Sequence, residues 1–177
     1  MLIFPIKTRA IYGTEGDDSL VGSSNNDTIF GYAGNDHISG GLGADRMVGG
    51  AGNDTYFVEN VGDVVVENAG EGFDEIRSSV SYTIAANVEK LVLTGTAAIN
   101  ATGSSGQDYL DGNSSSNILW GLDGNDYLNG MQGTDTMIGG TGSDTYFVEN
   151  AGDVVIEYAN EGNADYVVSL ISYTRHL

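Results

Sequence analysis

Apolar residues recur at every ninth position in two stretches of the chain. Leu20, Ile29, Ile38, Met47 and Tyr56 form one series; Leu110, Leu119, Leu128, Met137 and Tyr146 form the other. Each sits in a three-residue segment such as Thr28-Ile29-Phe30, and six residues rich in glycine, asparagine and aspartate follow. The pattern predicts a short extended segment with its middle side chain inward, then a turn, repeated without a slip. Fixed-period self-similarity of this kind means a solenoid. Two nine-residue units make one coil of 18 residues. Alternate units then stack at the strand spacing of about 4.8 Å.

The polar positions keep the same beat. Two residues before each inward side chain stand Asp18, Asp27, Asp36, Asp45 and Asp54, then Asp108, Asn117, Asp126, Asp135 and Asp144. A glycine precedes each of these by five positions, from Gly13 to Gly49 and from Gly103 to Gly139. Glycine supplies positive φ in tight turns, and Asn25, in one glycine slot, is expected to tolerate the left-handed region. Stacking puts Asp18, Asp36 and Asp54 in one column and Asp27 with Asp45 in another. Two carboxylates about 4.8 Å apart repel by roughly 1 kcal/mol in water and about 3 at an effective dielectric of 20. Arg46 is the one basic residue within the first block, so such a column needs a cation. Oxygen ligands, glycine-rich loops and the lack of His or Cys partners favour Ca²⁺ over transition metals, and Mg²⁺ demands a tighter octahedron. Turn chemistry alone explains Gly-Asn-Asp clusters but not their strict spacing. No segment supplies the loop and distal glutamate of an EF-hand.

Five nonapeptides occupy 13–57 and five occupy 103–147, after a lead-in at 1–12. A β-rich spacer, 58–102, joins them, and its beginning recurs at 148–177 as a shortened copy or C-terminal cap. Asp54-Thr-Tyr-Phe-Val-Glu-Asn60 matches Asp144-Thr-Tyr-Phe-Val-Glu-Asn150, and Gly62-Asp-Val-Val-Val-Glu67 matches Gly152-Asp-Val-Val-Ile-Glu157. After one inserted residue, Ser81-Tyr-Thr83 corresponds to Ser172-Tyr-Thr174. The second copy stops before the strand Val88–Leu93 would recur, which suggests a fragment or a truncated gene.

Composition narrows the partners. With 25 acidic and 6 basic residues the formal charge is −19, which repels nucleic acid and anionic membranes and attracts cations. There is no cysteine, hence no disulfide framework. No apolar run reaches the roughly 18 residues of a membrane helix, and Met1–Tyr12 is too weakly apolar for a cleaved leader. Catalysis finds no foothold: there is no metalloprotease helix, no nucleophile elbow, and His37 and His176 read as surface residues.

Gly40-Gly-Leu-Gly-Ala-Asp-Arg-Met-Val48, Gly49-Gly-Ala-Gly-Asn-Asp-Thr-Tyr-Phe57 and Gly139-Gly-Thr-Gly-Ser-Asp-Thr-Tyr-Phe147 resemble haemolysin-type, or repeat-in-toxin (RTX), calcium-binding nonapeptides. The resemblance implies an all-β fold, a parallel β-roll of two Ca²⁺-binding blocks. The ten Asp and Asn residues would serve as ligands together with loop carbonyls such as those of Gly31, Tyr32, Ala33 and Gly34, or Gly121, Leu122, Asp123 and Gly124. It also implies a secreted, Gram-negative-type bacterial protein, exported through an uncleaved C-terminal signal and often attached to further domains. Pairing loops on each edge gives about six sites. The one shared by Asn117 and Asp135 is expected to be weakest or empty, because Gly112-Asn-Ser-Ser-Ser-Asn117 lacks the second loop glycine and the charge. Gly-Gly pairs open only three of the ten repeats, and the second position is expected to matter little.

One apolar pattern is not absorbed by the repeat. Phe30, Val48, Trp120 and Ile138 end the even-numbered repeats, and Ile118 adds to the same face. Covering by the spacer or by a neighbouring chain is the expected reading, since lone exposed aromatics rarely bind without polar partners nearby. A patch for sugar or for another partner is the alternative. A carbohydrate-binding accessory module is accordingly the second functional reading, set against a non-catalytic module that folds on extracellular Ca²⁺.

Overall fold

A computed structural model describes residues 9–158, 161 and 164–171. The first eight residues of the lead-in, the Ser172-Tyr-Thr174 match and His176 lie outside them. The first block carries β1 (Arg9–Tyr12), β2 (Ser19–Val21), β3 (Asp27–Ala33), β4 (His37–Ser39), β5 (Arg46–Ala51) and β6 (Thr55–Val58). The joining segment adds β7 (Val64–Val66), β8 (Glu75–Ser78), β9 (Tyr82–Thr83) and β10 (Lys90–Leu93). Then follow β11 (Ala101–Thr102), β12 (Tyr109–Asp111), β13 (Ile118–Asp123), β14 (Tyr127–Asn129), β15 (Thr136–Thr141) and β16 (Thr145–Val148). The described chain ends with β17 (Val154–Ile156) and β18 (Tyr166–Ser169). Every regular element among the described residues is a strand.

All pairings are parallel, and successive strands alternate between two walls. One wall is a continuous nine-stranded sheet from β2 to β18 through the even-numbered strands. The other is split into a four-stranded sheet, β1-β3-β5-β7, and a five-stranded sheet, β9-β11-β13-β15-β17. The molecule is therefore a β-roll of about nine coils, as the nine-residue beat predicts. The register is 18 residues within the repeats, as in Ile29↔Met47. Through the joining segment it changes to 20, 15 and 19, at Tyr56↔Ile76, Ile76↔Leu91 and Leu91↔Leu110. That segment is built into the sheets, with β7 and β9 at the facing ends of the split wall.

The core is one column of inward side chains. Ile29, Ile38, Met47, Tyr56, Leu110, Leu119, Leu128, Met137 and Tyr146 are fully buried, and Leu20 at the open end is partly covered. Val65, Ile76, Leu91 and Ala101 carry the column through the join. Each large apolar side chain contributes about 1.5–3 kcal/mol when buried, and there is only one per nine residues of repeat. So narrow a core leaves the loops to contribute much of the remainder.

Phe30, Val48, Ile118, Trp120 and Ile138 lie half-buried on the outer face of the split wall. Phe30 clusters with Tyr12 and Tyr32, with ring centroids 5.6 and 6.3 Å away, and the two tyrosines lie 6.4 Å from each other. Trp120 pairs in register with Thr102 and Ile138. His37 is exposed and stacks on Phe57 at 6.3 Å.

Candidate metal centre

In most of the repeat loops, one carboxylate oxygen is spent on backbone and the other is left over. The N–H of Asp18 donates to Oδ1 of Asp36 (2.8 Å), that of Asp27 to Asp45 (2.7 Å) and that of Asp36 to Asp54 (2.7 Å). In the second block Asp108 donates to Asp126 (2.8 Å), Asn117 to Asp135 (2.7 Å) and Asp126 to Asp144 (2.8 Å). Each bond ties a coil to the next, 18 residues on, and confirms which loops share an edge. The second oxygens, Oδ2 of Asp36, Asp45, Asp54, Asp126, Asp135 and Asp144, are buried without a hydrogen-bond partner. Asp27 has the same shortage at Oδ1. A buried carboxylate oxygen without a partner is costly, so such a set calls for a ligand.

The repeat glycine makes room for that oxygen. A Cβ on Gly31, Gly49, Gly121 or Gly139 would collide with the carboxylate five residues on. On Gly13 it would stand 2.7 Å from both Asp18 Oδ2 and the Gly31 carbonyl of the next coil. On Gly112 it would stand 2.7 Å from Asn117 Oδ1 and 2.5 Å from the Gly130 carbonyl. A carboxylate and a carbonyl of the following coil thus converge on a space only glycine leaves free. This is an all-oxygen cradle with flexible walls, the donor set hard cations such as Ca²⁺ take. The residues present fit that ion.

The expected carbonyl groups divide. Those of Gly31 and Gly121 face the preceding coil at Gly13 and Gly103. Those of Tyr32, Gly34, Leu122 and Gly124 abut Gly50, Gly52, Gly140 and Gly142 of the following coil. Ala33 and Asp123 lie at strand ends, in register with Ala51 and Thr141. The Asp123 side chain accepts from Thr141 Oγ1 at 2.7 Å.

Two expectations about loop positions are corrected. The second position does matter: Tyr32 (φ 83°), Leu122 (φ 80°) and Met131 (φ 63°) take the left-handed conformation that Gly41, Gly50 and Gly140 take elsewhere. A side chain there carries about 1–2 kcal/mol of backbone strain. Asn25 is not left-handed. The first coil of each block makes its turns differently, with a polar second residue accepting the amide two residues on. Asn25 N–H donates to Ser23 Oγ (3.2 Å), Gly106 to Ser104 (3.0 Å) and Ser115 to Asn113 Oδ1 (2.9 Å). Such side-chain turns replace positive φ, which is why glycine is dispensable at those loops.

Asn117 is internally satisfied. Its Oδ1 accepts from Asn113 N–H (2.8 Å), while its Nδ2 donates to the Ile99 carbonyl (2.5 Å) and to Asn113 Oδ1 (3.2 Å). An aspartate would point an anion at the Ile99 carbonyl, so the loss of charge suits the coil beneath it.

Burial raises several of these carboxylates. Desolvation is the main cause throughout, opposed by the backbone donors just described. Asp54 and Asp135 are pushed up to about 6 and Asp126 to about 7. Asp36, Asp45, Asp108 and Asp144 are raised for the same reason.

The ladder also enlists residues outside the nonapeptides. Asp45 N–H donates to Asp63 (3.0 Å), Asp54 to Asp74 (2.8 Å), Asp74 to Glu89 (2.8 Å), Asp135 to Asp153 (3.1 Å) and Asp144 to Asp165 (3.0 Å). Sequence reading missed these acids. The signal that could have found them is the recurrence of Asp63, Glu67 and Asp74 as Asp153, Glu157 and Asp165, in step with the repeats and one insertion.

None of the curated proteins compared with the chain matches it. The family model described as the RTX calcium-binding nonapeptide repeat matches four times, over 12–47, 21–56, 102–137 and 111–146. Together these cover 12–56 and 102–146, just over half of the 177 residues, and overlie the loops that carry the unpartnered carboxylates. By its repeats and its parallel β-roll, the chain belongs to the RTX calcium-binding nonapeptide repeat family.

Proposed function

We propose that the chain is a non-catalytic, calcium-dependent β-roll module of a secreted bacterial protein, folding when it meets extracellular Ca²⁺. The observation that carries this reading is the set of buried, unpartnered Oδ2 atoms at Asp36, Asp45, Asp54, Asp126, Asp135 and Asp144. Asp18, Asp27 and Asp108 complete the loop pairs. The Asn117–Asp135 pair is the weakest, since the Asn117 amide is already engaged. About six loop sites follow from the pairs of facing loops.

Magnitudes support coupling of binding to folding. Extracellular calcium modules have Kd of about 10⁻⁴–10⁻³ M. At tenfold excess each site adds roughly 1.4 kcal/mol, so six add about 8. The whole stability of a typical domain is about 5–15 kcal/mol. Repeats of this family are typical of secreted proteins, and its activity partners would be domains attached to the roll. The strongly acidic surface supports neither nucleic acid nor anionic membrane as a partner.

The test is circular dichroism of the full chain titrated with Ca²⁺ from chelated buffer, with bound calcium counted in parallel. The β signal is expected to develop with ion uptake in the extracellular range. A β signal already complete at micromolar free Ca²⁺ and unaltered by chelator overturns the reading.

A further inference from the structure

The coil at which each block ends is built differently from the coils before it. In-register pairing of Val48 with Val66 places Glu67 where the repeat would have its glycine, one coil on from Gly49. Pairing of Ile138 with Ile156 places Glu157 likewise after Gly139. In the nonapeptides this slot must be glycine, because the carboxylate folds against it. Here it carries a carboxylate of its own, directly after the last strand of each short sheet.

Glu67 turns inward. Its Oε1 accepts the hydroxyl of the fully buried Tyr56, and its Oε2 has no partner. Asp54 Oδ2 and Asp74 Oδ2 are also without partners, and carboxylate oxygens of all three residues lie within 4.8 Å of one another. Asp54 and Asp74 are 1% exposed and Glu67 is 6% exposed. Among the described residues the ion pairs of Lys90 and Arg77 go to Glu75 and Asp111, so neither serves this cluster. Glu71, whose carboxylate meets that of Glu67, adds further negative charge. Tyr146 donates to Glu157 in the same way, and Asp144, Glu157 and Asp165 form a corresponding cluster in which Asp144 is buried and the other two are half-buried. Three desolvated carboxylates this close are held together only by a bound cation or by shared protons.

We propose that Asp54, Glu67 and Asp74 form an additional site for a hard divalent cation, Ca²⁺ in this setting, made of side-chain carboxylates alone. Asp144, Glu157 and Asp165 form its counterpart. It rests on the loop reading only for the choice of ion, and it differs in chemistry: three carboxylates in place of loop carbonyls, with a tyrosine hydroxyl orienting the glutamate. Its place gives it a role. Glu67 follows the final strand of the four-stranded sheet, while Asp54 and Asp74 precede β6 and β8 of the continuous sheet. An ion there fastens the end of the short wall to the long one at the point where the split begins.

The test counts ions in the full chain and in Glu67→Gln, Glu157→Gln and the double variant, which leave the loop aspartates intact. With β structure retained in Ca²⁺, losses of one, one and two ions are expected. Unchanged stoichiometry in folded Glu67→Gln overturns the proposal. Should the variants fail to fold, Tb³⁺ anomalous scattering from crystals of the unaltered chain decides. A peak among the three carboxylates supports the site. Peaks confined to the repeat loops leave the cluster held by protons and overturn it. A peak at the cluster with none in the loops supports it and sinks the loop reading instead.

Discussion

On the edge that leads into the continuous sheet, an acid stands before every strand: Asp18, Asp36, Asp54, Asp74, Glu89, Asp108, Asp126, Asp144 and Asp165. The other edge carries Asp27, Asp45 and Asp63, passes through Ser81, Asn100 and Asn117, and resumes with Asp135 and Asp153. Its neutral rungs still join coil to coil, with Asn100 N–H on Ser81 Oγ (3.0 Å) and Ile118 N–H on Asn100 Oδ1 (2.9 Å). Tying backbone between coils therefore does not require charge. The edges also differ at the join. Asp63 is saturated by the amides of Asp45, Glu59 and Asn60, whereas Asp74 keeps an unpartnered oxygen beside Glu67. A carboxylate in this roll can be a stacking bracket by one oxygen while the other stays buried and unpartnered. Such an unpartnered oxygen stands at Asp36, Asp54, Asp74, Asp126 and Asp144 on the unbroken edge and at Asp27, Asp45 and Asp135 on the other. On the proposed reading these oxygens take the cation.

The largest expected effect comes from a single methyl group, placed on the unbroken edge where the next coil's carbonyl closes the space and on the other edge where it does not. In Gly121→Ala the new Cβ meets both the Asp126 carboxylate and the fixed Gly139 carbonyl. In Gly130→Ala the nearest atoms all belong to the Asp135 side chain, and no carbonyl of another coil is among them. Overpacking costs about 1–3 kcal/mol, and Asp126 serves two loop pairs worth roughly 1.4 kcal/mol each. Denaturant unfolding in saturating Ca²⁺ should show Gly121→Ala losing about 4 kcal/mol and Gly130→Ala about half that. Equal losses would break the contrast.

The pH response should come chiefly from the same edge. Asp54 and Asp74 at about 6, Asp126 at about 7 and Glu67 at about 8 belong to it, along with the raised Asp36, Asp108 and Asp144. Asp45 and Asp135 are their raised counterparts opposite. A carboxylate raised in the fold binds protons that the unfolded chain has released, so ion-free stability falls as pH climbs from about 4 to 7. Acidification of calcium-free protein from pH 7 to pH 5 should increase its β signal. In saturating Ca²⁺ the sign reverses, because protons compete with the ion. Asp126→Asn should blunt the calcium-free response more than Asp135→Asn, measured by circular dichroism in resin-treated buffer.

Much of this was legible in the sequence because a solenoid turns linear spacing directly into stacking. The inward column and the 18-residue pairing of Asp36 with Asp54 both follow from one period. Where the period breaks, so does legibility. Asp74 pairs with Asp54 across 20 residues and Glu89 with Asp74 across 15, so neither falls on the beat. Glu67 hid because it replaces a glycine, and Tyr56 because it reads as one more apolar inward residue. The left-handed backbone at Leu122 and Met131 could not be read from a slot that serine and threonine fill elsewhere without it.

Asn117→Asp probes the neutral stretch. The change removes the amide bond to the Ile99 carbonyl and sets an anion against it. An unsatisfied buried polar group costs about 1–3 kcal/mol, so calcium-free stability should drop by that order. High Ca²⁺ should recover part of the loss, because Asp135 then gains a second carboxylate across its site. A gain in calcium-free stability would mean that charge was never the reason for asparagine here.

The smallest effect should ignore the difference between edges. Leu122 lies near the end of β13 on the unbroken edge and Met131 in a loop of the other, yet both side chains sit on left-handed backbone. Both are exposed, so little packing is lost on truncation. Glycine removes about 1–2 kcal/mol of strain, offset by roughly 0.5–1 kcal/mol of unfolded-chain entropy. Leu122→Gly and Met131→Gly should each gain about 0.5 kcal/mol in denaturant unfolding, equally with and without excess Ca²⁺. A gain confined to Leu122→Gly, or one that grows with Ca²⁺, would show that loop strain is coupled to ion binding and that the edges differ in backbone as well as in charge.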